Sequence, residues 1–578
     1  MRHSQFIGGF LMINQIKACI RPKFISDLRD LVRSNAEQYG DKVLYYYKEP
    51  GSKEVRQFTF SDALLRMNRL GTAFSALGIM GTHIAVIGDT HPDYMTAYYA
   101  TVNGGGVIVP LDKELATEQL INFCEIAEIK AIVYTASFNN KLTAIEERLP
   151  EVKYFIPISD GELSESPKVK PMSELMELGA QELMNGNTSF IDYTITLTDL
   201  AAILFTSGTT GTSKGVMLSH GNLAAATNSS CQSMEYDYRN SFVSVLPMHH
   251  SYEITCGHFA ISNLGASIYI NDSLKNALRS FSYFKPNALM LVPLFVETMY
   301  KKIWNEIDKK GMRKKVRTAM KLSNALLKVG IDKRDKFFGQ ITGALGGNLR
   351  SIVCGGAPID PQLIKDFRAF GISIFEGYGI TECAPLVAVN SPGKERYHSV
   401  GQPVYGCKVK IDYDPGEKTG EILVKGDNVM MGYYKNEEAT KEAFTEDGWF
   451  RTGDIGYIDN DGYIFITGRK KNVIILSNGK NVFPEEVEGY LSVCELISEA
   501  VVVGRKNDIG DIVITALIYP DFSRFEGKSD EEIIAILKER INTINRNLPS
   551  FKQIRDIELR KEEFEKTTSR KIKRFLVK

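Results

Sequence analysis

Over the first 400 residues, short apolar β-rich runs alternate with stretches whose apolar positions recur at helical spacing. Ile84–Ile87, Val107–Val109, Ala131–Tyr134, Ala201–Phe205 and Ser351–Cys354 read as strands, with Ser61–Leu77 and Thr117–Ile129 among the helical stretches. This alternation predicts an α/β chain with doubly wound sheets, whose ligands lie beyond the carboxyl ends of the strands. Ser159–Asp192 is acidic and Ser/Gly-containing, and reads as a solvated excursion between two such units. Lys301–Lys336 is helical and basic, as suits a solvated helix face or a face for a membrane or a protein partner.

Past residue 400 the texture changes. Tyr405–Val424 and Gly453–Thr467 combine short strands with the turn signals Asp414–Gly416 and Asn460–Gly462, which predicts a β-rich module over about 400–466. A Pro-Glu-Glu helix start at 484–486, apolar strands at Glu499–Val503 and Ile512–Ile518, a helix at Asp530–Asn545 and a basic tail follow. They predict a small α+β domain.

A chain of 578 residues exceeds one hydrophobic core and predicts about two to four domains. Lys+Arg and Asp+Glu are each 70, so no global field draws the protein to nucleic acid or to an anionic membrane. Eight cysteines without a CxxC pair fit reduced thiols in a cytoplasm better than a disulfide framework. Phe6–Ile20 is fairly apolar but is broken by Asn14, Gln15 and Lys17. It is shorter than the roughly 20 residues that span a bilayer and has no small-residue cleavage site. Residues 1–24 are therefore an extension of open character, either an interfacial anchor or a start displaced from Met12.

The chemistry begins at Ala201–Leu223, read as a strand, a loop and a helix starting near Ser219. In the loop Gly208, Gly211 and Gly215 let the backbone approach a ligand, while Thr206, Ser207, Thr209 and Thr210 add hydroxyls and Lys214 a mobile charge. The set suits a polyphosphate. It is not a Walker A loop, because the lysine follows Gly211 by three and precedes Gly215. Further on, Cys354–Pro358 reads CGGAP, where Gly355, Gly356 and Ala357 would let a planar ring lie on the backbone. Phe375–Cys383 reads FEGYGITEC: Tyr378 offers a stacking face, Gly379 clearance for the ligand, Thr381 a phosphate donor and Glu382 an oxygen for Mg²⁺. GWFRTGD at 448–454 ends on Asp454, GRKK spans 468–471, NGKNVFPEEVE spans 478–488, and the tail at 564–574 reads FEKTTSRKIKR.

The string TSGTTGTSKG at 206–215 and the ordered motifs behind it resemble the adenylate-forming superfamily of acyl-CoA synthetases, luciferases and adenylation domains, from about residue 25 to the end. The resemblance implies a large AMP-binding domain over 25–470, made of two α/β subdomains and a distorted β-barrel. A mobile C-terminal lid over 471–578 completes it. It implies that Asp454 accepts from the ribose hydroxyls, that Arg469 contacts the nucleotide and that Lys471 is the hinge. Thr206 and Glu382 are implied as the metal-site residues, Lys214 and Lys571 as the charges that serve adenylation, and His250 of LPMHH as lining the carboxylate end. A packed structural histidine is the competing reading of His250. The tail departs from the common PKTxxGK form at Glu565 and Arg570, and Ile475 replaces a lysine found in some relatives.

ATP, Mg²⁺ and coenzyme A are the implied cofactors and co-substrates. The implied reaction turns a carboxylic acid into an acyl-adenylate and then a thioester. The basic helices and GGNLRSIVCGGAP at 346–358 resemble bacterial long-chain fatty acid ligases, which implies a medium- or long-chain fatty acid. Acyl carrier protein is the alternative acceptor, and a catalytically silent nucleotide-binding protein is the reading from another class. A cytoplasmic protein is implied, with peripheral membrane contact at the inner face and the oligomeric state left open.

Overall fold

The computed structural model describes residues 22–577 apart from 50, 160–165, 207–212, 272, 274–275, 478–479, 493, 508–509, 547 and 567–571. Among the described residues two large mixed sheets dominate. The first runs in the order Gly432–Tyr433, Lys214–Ser219, Leu200–Thr206, Val107–Leu111, His83–Ile87, Ala131–Tyr134, Tyr154–Pro157. It is parallel from Leu200–Thr206 to its far edge. The second runs Gln402–Pro403, Leu386–Val389, Ser373–Gly379, Ser351–Gly355, Ala288–Leu291, Ser241–Ser244, Ser267–Ile270, Val43–Tyr47, Arg56–Thr59. Its centre is parallel and its edges antiparallel.

The central strands are apolar throughout because helices cover both of their faces. Along His83–Ile87, Ile84 and Val86 enter a central core while Ala85 and Ile87 enter an outer one. That central core also takes Phe242, Ile268, Met290 and Val353 from the second sheet, so both sheets share one apolar interior. The helix Phe60–Ala76 starts on a reciprocal Thr59–Asp62 capping box, and His220–Ser233 on the Ser219–Asn222 equivalent.

Three expectations are corrected. Ser159–Asp192 is not simply a solvated excursion, because Met172–Met184 is a helix with Met172, Leu175 and Met176 buried. Its acidic residues Glu174 and Glu177 face out, which gave the segment its polar look. Between the loop that follows Thr206 and the helix His220–Ser233 lies a strand, Lys214–Ser219, paired antiparallel with Leu200–Thr206. Val216 and Leu218 are buried on it in strand alternation. The β-rich module is a four-stranded antiparallel sheet of Cys407–Tyr413, Gly420–Gly426, Phe450–Ile458 and Ile464–Arg469, with no closed barrel among the described residues.

The C-terminal part packs Pro484–Ser492 and Asp530–Asn545 against the strands Ile497–Lys506, Ile512–Pro520 and Asp556–Leu559. It has its own core of Val487, Leu491, Val502, Ile514, Ala516 and Leu537. The basic excursion forms three helices, Pro293–Lys309, Arg313–Lys328 and Arg334–Ala344, over a small core of Trp304, Ile307, Met320, Phe338 and Phe370. No helix among the described residues is long and apolar enough to cross a membrane. The seven described cysteines are free and buried.

Candidate active site

Thr206, Lys214, His250, Gly355, Gly356, Ala357, Tyr378, Gly379, Thr381, Glu382, Asp454, Arg469 and Lys471 all line one cleft of about 2550 Å³, and Gly215 does not. A single small-molecule pocket measures roughly 300–1,000 Å³, so this space suits several substrates side by side. Its wall is built at the carboxyl ends of strands: Thr206, Gly355 and Gly379 are each the last residue of one.

Thr206 and Lys214 are register partners at the mouth of the hairpin, and the Thr206 hydroxyl donates to the Lys214 carbonyl at 3.4 Å. Lys214 Nζ stands 4.8 Å from the centre of the Tyr433 ring. Tyr433 Oη in turn donates to Glu382 Oε1 at 3.0 Å. Burial, reinforced by Glu382, pushes the Tyr433 phenol far up, so it stays a donor. One oxygen of Glu382 is thus oriented by a neutral group, and among the described residues no cation forms an ion pair with it. That donor set fits Mg²⁺, which takes one or two carboxylates and completes its shell with phosphate oxygens and water. Ser207, Gly208, Thr209, Thr210 and Gly211 lie outside the described residues.

Across the cleft Tyr378, Asp454 and Arg469 meet. Tyr378 Oη donates to Asp454 Oδ2 at 2.5 Å and Arg469 Nε to Asp454 Oδ1 at 2.6 Å. Asp454 and Arg469 are Cα partners on adjacent strands, so sheet register sets their pairing. Between the walls the floor is bare backbone. Gly356 holds φ +88°, and a Cβ on Gly355 would stand 3.3 Å from the Gly377 carbonyl oxygen. At Gly379 the protein's own backbone also demands glycine, since a Cβ there would come within 2.3 Å of the Pro385 carbonyl oxygen. Thr381 lies in the short turn with Glu382.

Lys471 is half-buried in the turn Lys470–Asn472 that leads into the C-terminal part, and burial lowers its ammonium pKa. Lys470 pairs with Glu421 at 2.9 Å on one side of that turn, and Asn472 Nδ2 donates to Glu485 at 2.5 Å on the other. Lys566 and Arg574 of the tail line the same cleft, while Lys571 lies outside the described residues.

Deeper in, His250 packs its ring 4.1 Å from that of His249, whose Nε2 is 3.5 Å from Asp112 Oδ2. Burial brings His249 down to about 4, so it is neutral near pH 7. The same cleft is also lined by the apolar or weakly polar Met234, Cys256, Ala260, Ile261, Leu264 and Met290. Cys256 belongs to a π-helical stretch, Tyr252–Phe259, tied down where Tyr252 Oη donates to the Val353 carbonyl at 3.0 Å. His258 of the same stretch is turned away, between Tyr45 Oη at 3.2 Å and Ser244 Oγ at 3.3 Å.

Sequence reasoning passed over Tyr433, Asp112, His249 and Glu376. Burial raises the Glu376 carboxyl to about 8. Its signal was present, an acid inside the strand FEGYG. Tyr433 had none, since only pairing of Gly432–Tyr433 with Val216–Met217 brings it beneath Lys214.

Fold and cleft together define an adenylate-forming enzyme. Residues 32–434 match the AMP-binding enzyme family and residues 471–577 the AMP-binding enzyme C-terminal domain. The chain belongs to the AMP-binding enzyme family. It is 31% identical over 488 residues to the long-chain-fatty-acid–CoA ligase FadD15 of Mycobacterium bovis, covering 81% of this chain and 78% of that protein. It is 28% identical over 577 residues to the chloroplastic long-chain-fatty-acid–[acyl-carrier-protein] ligase AEE15 of Arabidopsis thaliana, covering 86% and 77%. Among solved structures, the anthranilate CoA ligase AuaEII in complex with anthranoyl-AMP superposes with a TM-score of 0.76 at 19% identity, covering 96% and 97%.

Proposed function

We propose that this chain uses ATP to activate a medium- or long-chain fatty acid as its acyl-adenylate, and then passes the acyl group to the thiol of coenzyme A. One observation carries the reading. The Lys214–Tyr433–Glu382 and Tyr378–Asp454–Arg469 groups share one cleft with His250 and the apolar side chains of Met234, Ala260, Ile261 and Leu264.

In the first half-reaction a carboxylate oxygen attacks the α-phosphorus, and the bond to the β-phosphate oxygen breaks to release pyrophosphate. Lys214 stands where it can hold phosphate charge, and Asp454 and Arg469 fix the ribose end. Glu382 and Thr206 are the residues to hold Mg²⁺, which when bound neutralises phosphate charge. Such transfers gain chiefly from positioning and electrostatics. In the second half-reaction the thiol sulfur attacks the acyl carbonyl, the bond to the phosphate oxygen breaks, and AMP leaves while the thiol proton passes to solvent. Lys471 is the hinge about which the 471–578 lid would turn to exchange Lys571 for the thiol. His250 lines the carboxylate end.

The similarity to an acyl-carrier-protein ligase supports a second acceptor, acyl carrier protein. Acid-dependent exchange of labelled pyrophosphate into ATP tests the first half-reaction, and no exchange with any acid from acetate to palmitate would sink the proposal. AMP release across the same acids, with coenzyme A or acyl carrier protein as acceptor, separates the two acceptors and ranks chain length.

A further inference from the structure

The chain as a whole is neutral, yet residues 309–336 hold eleven Lys/Arg against two Asp. The helix Arg313–Lys328 has no carboxylate at all. Its inner face is already used. Met320 sits in the small core with Trp304 and Phe370, and Arg317 lies 4.2 Å from the Trp304 ring and 2.8 Å from Asp366. At 100° per residue, exposed positions 314, 318, 321, 322, 325, 328 and 329 gather on about a third of the circumference. That stripe presents Lys314, Lys321 and Lys328 beside Leu322, which is 51% exposed, and Val329, which is 70% exposed. The turn beyond it and the start of the helix Arg334–Ala344 add Ile331 at 44% and Phe337 at 38%, with Lys333 and Lys336 between them. Asp332 and Asp335 are both taken up by arginines, Arg334 and Arg350. Among the described residues none of these five lysines makes an ion pair, so their charge faces outward uncompensated.

We propose that this face is a docking surface for an anionic lipid bilayer. Two properties choose the bilayer over an acidic protein. Large apolar side chains stand exposed among the lysines, and each lysine can run its stem along them while its ammonium reaches a phosphate. A cationic helix with an apolar partner stripe is the pattern that settles at the headgroup boundary, and the attraction adds up lysine by lysine. The surface is formed by the insertion alone, so the proposal stands apart from the identity of the acid or acceptor.

Full-length protein is floated with phosphatidylcholine vesicles with and without phosphatidylglycerol. The surface predicts binding that requires the anionic lipid and weakens with salt. Lys321→Glu with Lys328→Glu should cut binding at least about tenfold, and Val329→Ser with Ile331→Ser should cut it at fixed charge. Melting temperature and AMP release with a short soluble acid should stay at parental values, which separates lost docking from lost folding. Vesicle binding that survives both double variants, or that is equal on neutral vesicles, overturns the proposal. So does unchanged vesicle binding with selective loss of transfer to acyl carrier protein, which would make the face a protein contact.

Discussion

Tyr378 and Asp454 lie 76 positions apart and meet through a 2.5 Å hydrogen bond from phenol to carboxylate, with Arg469 closing the other oxygen at 2.6 Å. Burial first, and the Asp454 charge next, hold the Tyr378 phenol protonated far above its usual range. The carboxylate is therefore oriented before a nucleotide arrives. A buried carboxylate without such partners would cost more than it returns.

The triad gives the first prediction. Tyr378→Phe removes one bond to a charged group, worth about 1.5–3 kcal/mol, and should raise the ATP KM at least about tenfold in pyrophosphate exchange. Asp454→Asn should cost more, because it also frees Arg469. An unchanged ATP KM in Tyr378→Phe would show that the phenol does not orient the carboxylate.

Glu376 makes stability depend on pH. Burial raises its carboxyl from 4.5 to about 8. Between those values the folded chain keeps a proton that the unfolded chain has lost, so this group makes stability fall as pH rises through that window. Glu376→Gln should leave the melting temperature near parental at pH 5 and exceed it increasingly toward pH 9. Parallel melting curves for the two proteins across that range would refute this account.

The tail gives a kinetic split. Lys571→Ala should cripple acyl-adenylate formation by several orders of magnitude while thioester formation from supplied acyl-adenylate stays largely intact, because in the proposed exchange of tail for thiol that lysine serves only the first step. Rapid-quench measurement of both half-reactions decides it. Equal loss in both would count against exchange of the tail for the thiol.

The apolar end of the cleft should set chain length. Ala260 is buried and lines it beside Ile261 and Leu264. Ala260→Phe places a ring in that space and should lower kcat/KM for palmitate far more than for a short acid. A uniform loss across acids would indicate a packing defect instead.

The strands His83–Ile87, Val107–Leu111 and Ala131–Tyr134 were legible because both their faces are buried and each reads as an unbroken apolar run. The helix Met172–Met184 was obscured because Glu174, Glu177 and Glu182 are interleaved with the few buried residues that dock it. Lys214–Ser219 was obscured because its strand character depends on pairing with Leu200–Thr206.

By itself the sequence determined the elements with strong local periodicity and the order of the phosphate, ribose and tail motifs, because both are written in neighbouring residues. The tertiary structure decided what depends on contacts distant in sequence. It placed Tyr433 between Lys214 and Glu382 and closed Asp454 between Tyr378 and Arg469. It also decided which face of the basic helix Arg313–Lys328 is spent on Trp304 and Asp366 and which is left to the outside. Local propensity carries no information about partners such as Tyr378 and Asp454, 76 positions apart, or Glu382 and Tyr433, 51 apart; register and packing supply it.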